Sequence, residues 1–421
     1  MITHNIGEKS FALFGAPPAF EKPLPVAQLY FPSWERYEAA MRGIFERRYY
    51  TNQGPLARQL EEQLQQFLGV KHAICVANAT IGLMMAAEAL KLKGKVILPA
   101  FTFAASAQSL SWCGIEPVFC DVNPLTHHMT PANLEKSLDS GVSGIMGVNL
   151  WGGTCDPAAI TEFARKHALP AYFDSAHAFG CVMNNVKVGN FGSVEVFSFH
   201  ATKILNATEG GCICTNDDDL AARLRNIRSS YGAGRPVDVL KTANGRMSEA
   251  QAAIALMSLE DFPENQRNNE RLRQSYEVRL NSIPGIRVVK PSGVSFSNYQ
   301  YLVCEIDEKL LGFSRDVLLT LLKAENVICR RYFHPGLHRT VEYISKQQMG
   351  VDLLPVTDYL CAVSLQLPIG AMVTLEAVET ICDIVQRAHL VSELFQSVPT
   401  QELADGAPAQ HSTQLRAGNA G

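Results

Sequence analysis

Val196-Phe-Ser-Phe-His200-Ala-Thr-Lys203-Ile-Leu-Asn-Ala-Thr-Glu209-Gly210-Gly211 sets one lysine between an apolar, strand-like run and a Gly-Gly turn. Hydroxyl side chains surround it in sequence: Ser198, Thr202 and Thr208. In such a setting an amine is partly desolvated, and so neutral and nucleophilic rather than a solvated cation. An ordinary lysine at a strand–loop junction is the plainer alternative. The residues elsewhere in the chain decide between the two.

Upstream of this stretch, short apolar runs alternate with helical patterns. Strands are predicted at 73–77, 95–99, 116–121, 144–149 and 171–174, and helices open at Asn78-Ala-Thr80, Phe103, Pro131 and Asp156. Strands of four to six apolar residues separated by helices predict a mostly parallel sheet covered on both faces. Ligands gather at the carboxyl ends of strands in such sheets, and Thr80, Thr102, Asp174 and Lys203 all fall at or just past predicted strand ends. Before this block, a Pro-rich arm covers 1–35 and two helices fill 34–68, broken at Thr51-Asn-Gln-Gly-Pro55. After it come a basic helix at 220–229, a glycine-rich loop from Tyr231, an Ala-rich helix at 248–262 and a polar helix at about 264–282. Residues 286–390 mix strands (299–306 and 327–331) with helices (315–324 and 375–390). The expected organisation is therefore an arm (1–35), a large α/β domain (36–263), a small α+β domain (264–396) and a disordered tail (397–421) poor in apolar anchors.

Composition narrows the function classes. The chain has 421 residues, 47% hydrophobic and 19% charged, which is globular. Lys plus Arg number 37 and Asp plus Glu 41, for a net charge of −4, so there is no basic footprint for nucleic acid or an anionic membrane. Eleven cysteines are scattered without zinc spacing, so no metal site is expected. There is no leader pattern and no stretch of about 18 apolar residues, which predicts a cytoplasmic protein with reduced thiols.

Several residues near the predicted strand ends suit a common purpose. Asp174, between Ala-Tyr-Phe and Ser-Ala-His177, ends a buried strand where an unpaired acid is expensive. Asn78-Ala79-Thr80 offers helix N–H groups and a hydroxyl, Ser198 a second hydroxyl, and Phe103 a flat apolar face. Each alone has a plainer alternative: a helix N-cap for Asp174 and Asn78, a packed side chain for His177, core packing for Phe103. Together they match the needs of pyridoxal 5′-phosphate (PLP): a lysine for its aldehyde, a carboxylate for its pyridinium nitrogen, N–H groups and hydroxyls for its phosphate, and a ring on one face. No Gly-x-Gly-x-x-Gly follows an early strand, which ranks a dinucleotide oxidoreductase last.

In these segments, and in Pro99-Ala-Phe-Thr-Phe-Ala-Ala105, Glu116-Pro-Val-Phe-Cys-Asp-Val122, Phe173–Gly180, Glu209-Gly-Gly211 and Asn244-Gly-Arg-Met-Ser-Glu249, the chain resembles the nucleotide-sugar aminotransferases. These are the DegT/StrS-like group of fold-type-I PLP enzymes, and the resemblance runs from about residue 24 to 392. It implies a fold-type-I transferase in which Lys203 is the Schiff-base lysine and proton shuttle and Asp174 pairs with the pyridine nitrogen. Ala79, Thr80 and Ser198 would hold the phosphate, Phe103 would stack on the ring, and His177 would lie near the ring hydroxyl. Asn244 matches the residue that reaches the partner subunit's cofactor, implying a homodimer with shared sites. Ser175 departs from the common Ala after the aspartate.

The segments Leu150-Trp-Gly152, Thr242-Ala-Asn-Gly245, Asn298-Tyr-Gln-Tyr301 and Tyr332-Phe-His-Pro-Gly336 are most similar in wording to dTDP-4-keto-6-deoxyglucose 4-aminotransferases. That similarity implies amino transfer from L-glutamate to C4 of the sugar nucleotide by a ping-pong route, with pyridoxamine 5′-phosphate as the amino-carrying form of the cofactor. Phe14, Tyr299, Tyr301, Arg331, Tyr332 and His334 are candidate substrate walls. Arg331 or Arg246 would meet a diphosphate or carboxylate, a surface ion pair being the plainer alternative for each. Competing expectations are a 3-keto sugar aminotransferase, a PLP-fold regulatory protein without turnover, and a family dehydratase, which would carry His in place of Lys203.

Overall fold

The computed structural model describes residues 7, 10–229, 235–344 and 353–398. Most of the first nine residues, the core of the glycine-rich loop and the tail beyond 398 lie outside the described residues.

A seven-stranded sheet organises the larger part of the chain: β1 (His72–Val76), β2 (Lys95–Pro99), β3 (Glu116–Cys120), β4 (Val142–Val148), β5 (Ala171–Asp174), β6 (Glu195–Ser198) and β7 (Gly211–Thr215), in the order β1-β7-β6-β5-β4-β2-β3. Only β7 runs against its neighbours, so the other strands all bring their carboxyl ends to one edge. The mostly parallel sheet expected from the alternating pattern is present. The strand directly after the Gly-Gly turn is the element the sequence pattern did not reveal.

Helices cover both faces: α1 (Trp34–Arg47), α2 (Pro55–Leu68), α3 (Ala79–Ala89), α4 (Ala104–Trp112), α5 (Pro131–Ser137), α6 (Pro157–Lys166), α7 (Asp218–Arg228) and α8 (Glu249–Leu280). Strand side chains alternate, and here both sides are apolar. Ile74 and Val76 join α3, α4 and α7 in one core, whereas Ala73 and Cys75 join α2 and the start of α8 in another. The helices start where side chains satisfy their free N–H groups: Asn78, Asp156, Asp217 and Ser248 each accept from the first turn.

Residues 248–262 and 264–282 read as two helices, but they form the single helix α8, with Pro263 inside it. A proline inside a helix costs about 3 kcal/mol. Ala252, Ala255 and Phe262 are buried against the large sheet, and Leu272, Tyr276 and Leu280 in the C-terminal core. Burial at about 1.5–3 kcal/mol for each large side chain outweighs the defect. That second core packs around a three-stranded antiparallel sheet, β8 (Ile286–Val288), β9 (Leu302–Ile306) and β10 (Ser364–Leu367), with the helices Arg315–Ala324 and Leu375–Leu390. The strand expected at 327–331 reduces to isolated bridges, Val327 to Leu24 and Arg330 to Gln366, because the N-terminal arm meets this stretch on one side. Among the described residues no helix is long and apolar enough to cross a membrane.

Candidate active site

Lys203 sits five residues past the end of β6, in a loop pinned from several directions. The loop's own backbone closes it, with Lys203 N–H donating to the His200 carbonyl at 2.8 Å and Ala201 N–H to Thr208 at 2.8 Å. The Gln300 side chain accepts from Ile204 N–H at 3.1 Å, and the Ser258 hydroxyl from Asn206 N–H at 3.1 Å. The half-buried Lys203 amine donates to the Tyr301 hydroxyl at 2.7 Å. Its desolvation pushes the ammonium pKa down to about 8; the oxygens of Tyr332 and Asp174 oppose that fall, and the Arg330 charge adds to it.

Asp174, at the carboxyl end of β5, is only 6% exposed. The Ser106 hydroxyl donates to its Oδ2 at 2.7 Å, and the Ala176 N–H to its Oδ1 at 3.2 Å. Burial raises its pKa and these two bonds oppose the rise, but the net direction stays upward. The two bonds and the nearby Lys203 charge do not cancel the effect of desolvating the carboxylate. A cationic N–H donor at the same carboxylate would close the gap. His177 is equally buried, its ring between Tyr301 (centroids 4.2 Å apart) and Trp151 (5.5 Å). Burial holds its imidazole neutral, and its Nδ1 has no hydrogen-bond partner. Buried polar atoms are nearly always partnered, so the open Nδ1 is available to a polar group of a ligand.

Asn298-Tyr-Gln-Tyr301 binds this corner together through alternate side chains. Asn298 Nδ2 donates to the carbonyls of His177 and Phe179, and Gln300 Nε2 to that of Ala176, so the turn after Asp174 and the lysine loop hang on one segment.

A second group of predicted residues gathers at the β1 end of the same edge. Asn78 caps α3 and leaves Ala79 and Thr80 in its first turn. Gly211, the first residue of β7, pairs with both Val76 and Ser198, bringing the ends of β1 and β6 together. A Cβ on Gly211 would stand 2.9 Å from Ala79 N and 2.8 Å from the Phe197 carbonyl, so only glycine allows the strand to pass this close. The result is a helix N-terminus, suited to an anion, with Thr80 in its first turn and Ser198 at the adjoining strand end. Phe103, the residue before α4, is 55% exposed, an unusual state for a phenylalanine beside a buried site.

Other candidates are placed elsewhere. Phe14 is half-buried: its ring meets Phe395 (5.5 Å) and packs against the C-terminal core. Tyr299 faces away from Lys203; it lies under the Arg273 guanidinium (5.8 Å) and lines a separate cavity of about 250 Å³ with Glu277 and Lys290. The left-handed backbone at Tyr299 (φ 49°) breaks the alternation that would otherwise put Tyr299 and Tyr301 on one face. Arg331 is buried, and its Nη1 lies 3.5 Å from Asp316 Oδ1. Its neighbour Arg330 is the exposed arginine at the site, donating to the Tyr332 hydroxyl at 2.9 Å and acting on the charges of Lys203, Tyr301 and His200. Of two adjacent arginines in extended backbone only one can face the site, and the sequence does not say which. His334 is exposed two residues past Tyr332, whose ring stacks on Trp151 at 6.2 Å. Asn244 is exposed at φ 51°, and Arg246 Nη1 donates to its Oδ1 at 2.5 Å. Their segment runs beside Val76 and Ala77, next to the α3 N-terminus. Trp151 is the aromatic that sequence left without a role; it packs against His177, Tyr301, Tyr332 and Phe333.

Residues 34–386 match the model of the DegT/DnrJ/EryC1/StrS aminotransferase family. The chain belongs to this family. The aminotransferase is 33% identical over 326 residues to a dTDP-4-amino-4,6-dideoxy-D-glucose transaminase of Shigella dysenteriae, covering 77% of this chain and 88% of that one. It is 34% identical to a GDP-perosamine synthase of Caulobacter vibrioides, again over 326 residues, covering 75% and 85%. A crystal structure of DesI in the presence of its TDP-sugar product superposes with a TM-score of 0.86 at 37% identity, covering 92% of this chain and 98% of that one. The protein is accordingly a PLP-dependent nucleotide-sugar aminotransferase with the fold-type-I architecture.

The residues present fit that cofactor. The unpartnered His177 Nδ1, the under-compensated Asp174 and the α3 N-terminus at Ala79 each match a group PLP carries. One pH dependence follows from Lys203. Only the neutral amine attacks an aldehyde, so PLP uptake by cofactor-free enzyme should accelerate as pH rises and level off above about 8. Stopped-flow absorbance measures this; a rate still climbing at about pH 10, where an ordinary lysine titrates, would contradict the desolvated setting.

Proposed function

We propose that this aminotransferase takes an amino group from L-glutamate and delivers it to the C4 keto carbon of a dTDP-4-keto-6-deoxy sugar, in two half-reactions at one site, for deoxyamino-sugar synthesis. The carrying observation is the Lys203 amine, desolvated and 2.7 Å from the Tyr301 hydroxyl at the strand edge that also holds Asp174 and His177. Bound there, PLP supplies an electrophilic carbon and an electron sink.

The chain's own residues do the rest. Lys203 holds the cofactor between turnovers and, once released, carries the proton between the donor's Cα and the cofactor carbon. The anionic Asp174 keeps the pyridine nitrogen protonated. His177 presents its free Nδ1 to the ring hydroxyl, Phe103 covers one ring face, and Ala79, Thr80 and Ser198 grip the phosphate. The Tyr301 hydroxyl orients the lysine. Residues 36–263 are proposed as the cofactor domain and 264–396 as the smaller one, with the sugar nucleotide between them, against Tyr332 and His334.

A cytoplasmic homodimer with shared sites completes the proposal. Asn244 is exposed on a segment that leads into Glu249, whose N–H donates to the Tyr50 carbonyl at 3.0 Å. Tyr49 and Tyr50 are 42% and 54% exposed there, and a second copy would cover them while Asn244 reached its phosphate site. The dTDP nucleotide is favoured by the Shigella transaminase and the TDP-sugar complex of DesI; a GDP-linked sugar is the second reading, favoured by the perosamine synthase.

Adding L-glutamate to the yellow enzyme should bleach its visible absorbance, and a 4-keto sugar nucleotide should restore it. Arg330→Ala should raise the KM for an anionic substrate about tenfold or more with a smaller change in kcat, whereas Arg331→Ala should instead lower the melting temperature. Steady-state kinetics and calorimetry separate the two, and an unchanged KM in Arg330→Ala would remove Arg330 from the site.

A further inference from the structure

We infer that Ser106, with Thr102 behind it, is a positioning residue for the cofactor's ring nitrogen: a directed chain of hydroxyls that keeps Asp174 ionised and aimed. The inference rests on the proposed pairing of Asp174 with that nitrogen. It starts from proton counting. Ser106 Oγ lies 2.7 Å from Asp174 Oδ2 and 2.9 Å from Thr102 Oγ1. Ser106 has one hydroxyl proton, and an ionised carboxylate can only accept. The proton therefore goes to Asp174, and Thr102 must donate to Ser106. The chain runs Thr102 to Ser106 to Asp174, each bond polarising the next toward the carboxylate.

Burial makes the chain effective. Ser106 is 0% and Thr102 1% exposed, so no water competes. Ser106 occupies Oδ2 and the Ala176 N–H occupies Oδ1, which fixes the carboxylate plane and leaves its outward lone pairs for one more donor. Ser106 is also three residues past Phe103, on the first turn of α4. One helix start thus sets both the ring-face contact and the orientation of the acid at the ring nitrogen. Removing the hydroxyl leaves Asp174 with one compensating bond in a desolvated place, so it takes up a proton more readily and holds the pyridinium less well.

The test uses enzyme loaded with PLP labelled with nitrogen-15 in the ring, comparing wild type with Ser106→Ala, Thr102→Val and Asp174→Asn. In Ser106→Ala the ring-nitrogen resonance should move toward its unprotonated position, and the L-glutamate half-reaction should slow by about tenfold or more. Its KM for glutamate should hold. Thr102→Val, which removes only the donor behind Ser106, should shift the resonance the same way and slow the half-reaction about threefold. A purely structural serine would leave the resonance in place. If Asp174→Asn moves the resonance and Ser106→Ala does not, the hydroxyl chain is overturned and the Asp174 pairing stands. If Asp174→Asn also leaves it unmoved, the pairing itself fails, and the inference with it. Should Ser106→Ala not fold, Thr102→Val decides alone, an unmoved resonance overturning the proposal.

Discussion

Lys203→Ala is expected to lower amino transfer by at least about 10³-fold while the protein stays folded, because one side chain both anchors the cofactor and moves the proton. The loop does not depend on that side chain. Its backbone is closed by its own hydrogen bonds and by Gln300 and Ser258, and the side chain contributes the single bond to Tyr301. Deleting a partly desolvated amine also removes an unfavourable burial, so the melting temperature should hold or rise. The visible absorbance should shift to that of free PLP even if the phosphate cradle at Ala79, Thr80 and Ser198 retains the molecule. Single-turnover measurements with glutamate check the rate and calorimetry the fold. A variant with near wild-type turnover would mean that another amine carries the chemistry.

The second large effect concerns the dimer. Lys203→Ala and Asn244→Ala should each be inactive alone and regain activity when mixed. In a mixed dimer one site carries both substitutions, and the other has an intact lysine from one chain and an intact asparagine from its partner. Random exchange makes about half of the dimers mixed, each with one sound site of two, so recovery should approach roughly a quarter of the wild-type rate. The surface supports this: Asn244 is exposed, tied to Arg246 rather than to Lys203, on a segment that leads into Glu249 at the exposed Tyr49–Tyr50 pair. No recovery after demonstrated subunit exchange would place Asn244 at its own chain's site or at none.

Much of this was legible in the sequence because two periodicities were undisturbed. Apolar runs ending at Val76, Pro99 and Asp174 had to be buried strands, and polar or hydroxyl residues directly after them had to meet at one sheet edge. Where a residue's role depends on which side of the backbone it takes, sequence failed. Arg330 and Arg331 differ by alternation, and only packing against β10 and the arm sets the phase; Tyr299 and Tyr301, two apart, would share a face but for the left-handed backbone at Tyr299. The packing of Phe14 was not legible because an aromatic in an irregular arm carries no period; its partner Phe395 lies at the far end of the chain. Ser106 gave no signal, since a serine in the first turn of a helix is unremarkable until Asp174 is seen beside it. Pro263 suggested a break, but the cores at both ends of α8 hold it continuous.

Incubating the enzyme with PLP, L-glutamate and dTDP-4-keto-6-deoxyglucose, and following the sugar by NMR, tests the central claim most directly. Conversion to a dTDP-4-amino-4,6-dideoxy sugar, with one 2-oxoglutarate formed per amine and none formed by Lys203→Ala, is the predicted result. An amine at C3, conversion only of a GDP-linked ketosugar, or no amine at all would contradict it.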